Sequence, residues 1–168
     1  DLDELVKKCG CHLNTGFLST PNLTRVLCDN GYVATAYKLL LQDTRPSWLY
    51  EVKKGATTIW ETWDGINEKG EVKASLNHYS YGAICGWIID SVCGIQFSDK
   101  KVKICPHPDK ALGYARAEYQ SPWGKVVSGW KYDGDEISYE IEIPSNTRAE
   151  VVLPDGRRQE LGAGTYSL

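Results

Sequence analysis

The sequence predicts an α+β chain in two parts, a helical part over residues 1–99 and a small antiparallel β-sandwich over 100–168. Three observations predict it. Apolar residues recur every three to four positions in the first part, they alternate with polar residues in the second, and Ser-Pro, Asp-Gly and Pro-Asp-Gly turn signals close the alternating runs.

In "LTRVLCDNGYVATAYKLLLQ", Val26, Leu27, Ala34, Tyr37, Leu40 and Leu41 fall at helical spacing, and Asn30-Gly31 divides the run into two helices. "PSWLYEVKKGATT", opened by Pro46, reads as a loop. Between about Asn77 and Cys93, Tyr81, Cys85, Ile88, Ile89 and Val92 again recur at helical spacing, which predicts a second, buried helical stretch. Beyond residue 100, "KVKICPHP", "YARAEYQSP", "GKVVSGWKYDGDEISYEIEIP" and "RAEVVLPDGRRQEL" carry the period of strands, cleanest where Glu140, Ile141, Glu142 and Ile143 alternate. Four or five helices without a second strand set have no way to close on themselves, so the first part reads as a truncated barrel.

Composition narrows the function. A net charge of -3 and a pI near 5.6, with Lys and Arg scattered rather than striped, leave no electrostatic footprint for nucleic acid. The longest apolar candidate, "GAICGWIIDSVCGI", is interrupted by Asp90 and falls short of a membrane span. The chain opens with neither Met nor a signal-like segment, so it reads as a processed product or a piece of something longer. The six cysteines, at 9, 11, 28, 85, 93 and 105, include Cys9, Cys11 and His12 in a C-x-C-H run that lacks the paired knuckles of a zinc site. Free, mostly buried thiols without a metal are expected, with Cys85 and Cys93 as small core hydrophobes. "NLT" at 22 to 24 matches a glycosylation sequon by pattern only.

The chemistry concentrates in "GATTIWETWDG", residues 55 to 65, where Glu61 stands between Trp60 and Trp63. Six Trp and ten Tyr against two Phe favour rings with a polar handle, which fill a core or stack on sugar faces. Asp64 reads as a cap for the turn before Gly65, and His107, between Pro106 and Pro108, as a rigid junction residue.

"HLNTGFLSTPNLTRVLCDNGYVATAYKLLLQ", "PSWLYEVKKGATTIWETWDGI", "SLNHYSYGAICGWI" and "AEYQSPWGKVVSGW", in this order, resemble the C-terminal portion of the family 78 glycoside hydrolases, the bacterial-type α-L-rhamnosidases. The resemblance covers essentially the whole chain. It implies the last helices of an (α/α)6 barrel followed by a C-terminal β-sandwich. It also implies that Glu61, in the W-E-x-W-D segment, is the general base of an inverting hydrolysis, and that His78, in the N-H-Y segment, lines the sugar subsite. The family's general-acid segment has no counterpart between residues 1 and 60. An inverting glycosidase needs a second carboxyl group ~6.5–9.5 Å from the base, so a chain with one of the pair holds half of a mechanism. Trp60 and Trp63 are expected to wall the site, with at least one of them in the core; Asn77 is expected to bond sugar hydroxyls, and Asn14 and Thr15 to line the pocket.

The expected partners are a rhamnose-containing glycoside or polysaccharide and the N-terminal part of the same enzyme, with no nucleic acid, membrane, metal or cofactor; the compartment is open between bacterial cytoplasm and export. The rival reading is a non-catalytic carbohydrate-binding or structural module, which predicts an exposed platform on the sandwich at Trp123 or Trp130.

Overall fold

The computed structural model describes residues 1–98 and 101–168, so the expected boundary between residues 99 and 100 lies outside the described residues. The chain forms two compact units, Asp1–Trp87 and Ile88–Leu168.

The first unit carries α1 (Leu2–Lys8), α2 (Thr20–Asp29), α3 (Val33–Leu40), α4 (Trp48–Lys53) and α5 (Ile84–Trp87). Helix α1, absent from the sequence reading, starts on a capping box in which the Asp1 side chain accepts the Glu4 N–H and Glu4 returns to the Asp1 backbone. It is tied to α3 by the buried Asp3 carboxylate, 2.6 Å from both Lys7 Nζ and Thr35 Oγ1, and the bond from Lys7 holds the Asp3 carboxyl below its ordinary pKa. Helices α2 and α3 separate at Asn30-Gly31 as expected, with Gly31 at φ 84°, the left-handed region that favours glycine. Between them they bury Leu23, Leu27, Cys28, Ala36, Tyr37 and Leu39.

Two expectations are corrected here. "PSWLYEVKK" is not a loop throughout: Ser47 is fully buried and its hydroxyl accepts the Tyr50 N–H at 3.1 Å, which caps α4, and Gly55 at φ 81° follows its end. A serine after a proline is a helix-start signal that the polar spacing of Lys53 and Lys54 obscured. The stretch from Asn77 is not one α-helix either. It is a 3₁₀ turn over Ser80–Ala83, the single turn of α5, and a π-turn over Ile88–Val92. Tyr81, Ile84, Trp87 and Val92 are buried, whereas Cys85 and Ile89 are exposed, because the changes of winding rotate the apolar face.

The second unit has two four-stranded sheets. One orders β1 (Ile95–Ser98), β2 (Lys101–Ile104), β6 (Ala149–Val152) and β7 (Arg158–Leu161) as β1-β2-β6-β7; the other orders β3 (Tyr114–Ser121), β4 (Gly124–Asp133), β5 (Glu136–Ile143) and β8 (Gly164–Ser167) as β3-β4-β5-β8. Every pairing is antiparallel except β2 with β6, where Val102 faces Ala149 and Ile104 faces Val151 in parallel register. β1 and β8 are the strands the sequence reading missed. β5 alternates as expected, with Ile141 and Ile143 buried and Glu140 exposed, but β4 buries five successive residues from Val126 to Trp130. Both faces of β4 are therefore covered. On one of them the Trp130 indole donates to the Val92 carbonyl at 2.8 Å, and the Ser128 hydroxyl to the Cys93 carbonyl at 2.6 Å. Trp130 is thus a core residue rather than a sugar platform. His107 donates its backbone N–H to the Ser91 carbonyl at 3.0 Å and brings its ring to the same oxygen.

The turn at Gly94 carries a sharp test of this unit. Gly94 has φ 78°, and a Cβ there would stand 2.2 Å from the Pro106 nitrogen and 2.3 Å from the Cys105 carbonyl carbon, both backbone atoms that cannot rotate away. Gly94→Ala should lower stability by about 2 kcal/mol or more, read as a fall in the chemical-denaturation midpoint. An unchanged midpoint would contradict the packing described for this turn.

Candidate active site

The segment carrying Glu61 is held between two partners. On one side it pairs with residues 75–78: Glu61 N–H donates to the Ser75 carbonyl at 2.9 Å, Ser75 N–H donates to Glu61 Oε2 at 3.1 Å, and His78 N–H donates to the Ile59 carbonyl at 2.8 Å. Thr58 Oγ1 adds a bond to the Leu76 carbonyl. On the other side, the Trp60 N–H donates to Glu51 Oε2 at 3.2 Å. Glu61 is half-buried, and its carboxylate accepts the Ser75 N–H of the facing segment.

Aromatic rings continue from this ladder. His78 stacks on Phe17 at 4.8 Å and on Tyr79 at 5.3 Å; Phe17 meets Tyr81 at 5.2 Å; Tyr81 stacks on Trp63 at 3.7 Å; and Trp63 meets Trp48 edge-on at 5.5 Å. The indoles are anchored, Trp63 Nε1 to the Thr15 carbonyl at 3.2 Å and Trp48 Nε1 to the Tyr81 carbonyl at 3.0 Å. Trp63 and Tyr81, with Asn14, Thr15, Arg45 and Asp64, line a pocket of about 540 Å³.

The structure therefore gathers the sequence-predicted residues in two linked groups. Asn14, Thr15 and Trp63 share the pocket; Glu61, Asn77 and His78 stand on the ladder, joined to it through Phe17 and Tyr81. Trp60 belongs to neither. It is 1% exposed, with Gly65 and Leu76 against it, and is a core residue supporting the ladder from behind. Asp64 does not cap the turn, which the Gly65 N–H closes on the Thr62 carbonyl at 3.0 Å; its carboxylate faces Arg45 at 3.6 Å and Lys73 at 3.7 Å.

Sequence reasoning missed Phe17, Arg45 and Tyr81 as site residues, and it missed Glu51. Tyr81 had been counted as core by its helical spacing, and it is both buried and pocket-lining. Glu51 is 2% exposed, and burial pushes its carboxyl up to about 7 against the smaller opposing effect of the Trp60 N–H.

Among the described residues no cluster of three His, Cys, Asp or Glu side chains is arranged to hold a metal. All six cysteines are free. Cys28 and Cys93 are buried, and burial raises both thiols to about 11; Cys85 is exposed and Cys9, Cys11 and Cys105 are half-buried, so the thiols are less buried than the sequence suggested. No helix among the described residues is long and apolar enough to cross a membrane.

Helices followed by two four-stranded, largely antiparallel sheets are the architecture of a six-hairpin glycosidase barrel at its end, with the β-sandwich that follows it. The chain belongs to the bacterial α-L-rhamnosidase family: residues 1–92 match the bacterial alpha-L-rhamnosidase 6 hairpin glycosidase domain, and residues 99–167 match the bacterial alpha-L-rhamnosidase C-terminal domain. It is 38% identical over 165 residues to an α-L-rhamnosidase of Formosa agariphila and 39% identical over 157 residues to one of Streptomyces avermitilis, covering 94% and 89% of this chain. The chain spans 18% and 15% of the length of those two relatives. Among solved structures, the α-L-rhamnosidase of Aspergillus terreus superposes with a TM-score of 0.92 at 30% identity, over 99% of this chain and 20% of its own. The Streptomyces avermitilis α-L-rhamnosidase complexed with L-rhamnose superposes with a TM-score of 0.90 at 35% identity, over 98% of this chain and 18% of its own.

Glu51 makes the stability of this unit depend on pH. Its folded pKa, about 7, lies above the ordinary 4.5, so the fold favours the protonated form. The stabilisation is complete below about 4.5 and is lost as pH rises through about 7, a difference on the order of 3 kcal/mol. Thermal unfolding between these pH values should show the fall, and Glu51→Gln, which cannot ionise, should flatten it. A Tm that falls equally in both proteins would refute this assignment.

Proposed function

We propose that the chain is the C-terminal part of an inverting α-L-rhamnosidase that releases terminal α-L-rhamnose from glycosides, with Glu61 as its general base. The observation that carries this reading is the Glu61 carboxylate, held by the Ser75 N–H on the same ladder as Asn77 and His78 and joined by stacked rings to a polar-rimmed pocket. In the proposed reaction Glu61 takes a proton from a water molecule, which attacks the anomeric carbon as the glycosidic bond breaks. A carboxylic acid on the opposite face protonates the departing oxygen, and the configuration at carbon inverts. Family membership supports the reaction class. The small share of its relatives' length that the chain spans supports an acid contributed from outside these 168 residues.

His78 and Asn77 are proposed to bond sugar hydroxyls, and Trp63 with Tyr81 to present a flat wall to an apolar sugar face. Asn14 and Thr15 contribute polar rim groups. His78 acts here by hydrogen bonding.

Kinetics in a full-length enzyme carrying this chain test the assignment. Glu61→Gln keeps the shape and loses the base, so kcat should fall ~10²–10⁴-fold with little change in KM. His78→Ala should raise KM, because a hydroxyl contact exists before and during the reaction. Proton NMR should find β-rhamnose as the first product; α-rhamnose first, or a normal kcat in the Glu61 variant, sinks the proposal. The isolated 168 residues should give only background on an activated aryl α-L-rhamnoside.

A further inference from the structure

Glu51 is a buried carboxyl group that the proposed reaction does not use. Its Oε1 has no hydrogen-bond partner among the described residues, and its Oε2 meets a single donor, the N–H of Trp60. Burying a carboxyl group costs stability, and no cation among the described residues is paired with it to offset that cost. What the group does supply is an acceptor for the N–H of the residue immediately before Glu61. The ladder with residues 75–78 satisfies Ile59 and Glu61 and leaves the Trp60 N–H facing away from it, into the core. A buried N–H without an acceptor would draw the segment out of line, because it would seek another partner.

We propose that Glu51 is a positioning residue for the reaction: by accepting the Trp60 N–H it fixes the backbone register of Ile59–Glu61 against residues 75–78, and so sets the direction in which the Glu61 carboxylate points. The proposal rests on Glu61 being the general base. It requires an acceptor at Glu51 and not a charge. Loss of the acceptor loosens the Ser75 N–H bond to Glu61 Oε2 together with the register. The Glu61 carboxylate is then no longer aimed, so the loss falls on kcat. Sugar contacts are made by other residues, so KM is spared.

The test compares wild type, Glu51→Gln, Glu51→Ala and Glu61→Gln in a full-length enzyme carrying this chain, with an activated aryl α-L-rhamnoside as substrate. Glu51→Ala should lose on the order of 10- to 100-fold in kcat at unchanged KM. Glu51→Gln, whose amide oxygen still accepts the Trp60 N–H, should restore kcat to near wild type. Should Glu51→Ala fail to fold, Glu51→Asp, one methylene too short to reach Trp60, should show the same fall in kcat at unchanged KM. Equal loss in Glu51→Ala and Glu51→Gln, or a loss that follows the folded fraction, overturns the positioning role. Normal kcat in Glu61→Gln removes the base assignment and this proposal with it. Loss in Glu61→Gln beside an unaffected Glu51→Ala removes the positioning role alone.

Discussion

The face-to-face contact of Trp63 with Tyr81, at 3.7 Å, is the constraint on which the first unit's site depends. Each ring is also fixed through a carbonyl: Trp63 donates to Thr15, and Trp48 donates to the Tyr81 backbone. One stack therefore joins the loop after α1, the start of α4, the turn after Glu61 and the 3₁₀ turn over Ser80–Ala83. Four segments distant in sequence cannot each be held by local propensity, since none is longer than a few turns. Large flat rings supply buried area and a preferred geometry together, and their N–H groups find acceptors, so the cluster is both apolar and fully directed. Phe17 and His78 extend the same row to the ladder that carries Glu61.

The ladder and the rim divide the electrostatics. Asp64 at the rim already faces Arg45 and Lys73, so its carboxylate is engaged, although at one-third exposure or more such pairs contribute little to stability. Glu61 faces a backbone N–H and no ion-pair partner among the described residues, which leaves lone pairs open toward a water molecule. Of the two carboxylates in "WETWDG", Asp64 is engaged by cations and Glu61 by a backbone N–H.

The sequence made much of this legible, and the failures have physical causes. The change of period near residue 100 gave the two kinds of architecture, and Asn30-Gly31 gave the α2–α3 break, because strong amphipathic patterns and φ-positive glycines are local signals. Helix α4 was hidden because six residues hold too few turns to show a period, leaving only the Ser47 cap to mark it. β1 and β8 have four residues each, too few to show a period, and β8 takes its place from a partner far along the chain, Tyr166 against Ile141. The parallel β2–β6 pairing is likewise invisible to a period-two pattern. For the site, Trp60 and Trp63 look alike in sequence; burial separates them, because Trp60 is 1% exposed in the core whereas Trp63 sits in the turn that Gly65 closes on Thr62 and lines the pocket.

Two glutamates ten residues apart in sequence also stand in different surroundings. Glu61 lies half-buried on the ladder with a backbone donor, whereas Glu51 lies behind the ladder, 2% exposed, with one oxygen on the Trp60 N–H. Environment rather than residue type separates carboxyl groups into roles, as it does wherever acid and base functions share a site. Burial favours a protonated Glu51, and protonation alone would make it resemble a general acid. A general acid must also reach the departing oxygen, and Glu51 is closed off from the pocket, on the core side of the segment that Trp60 occupies. A carboxyl group sealed behind Glu61 can hold its segment in register, but it cannot exchange a proton with a molecule in the pocket on the other side.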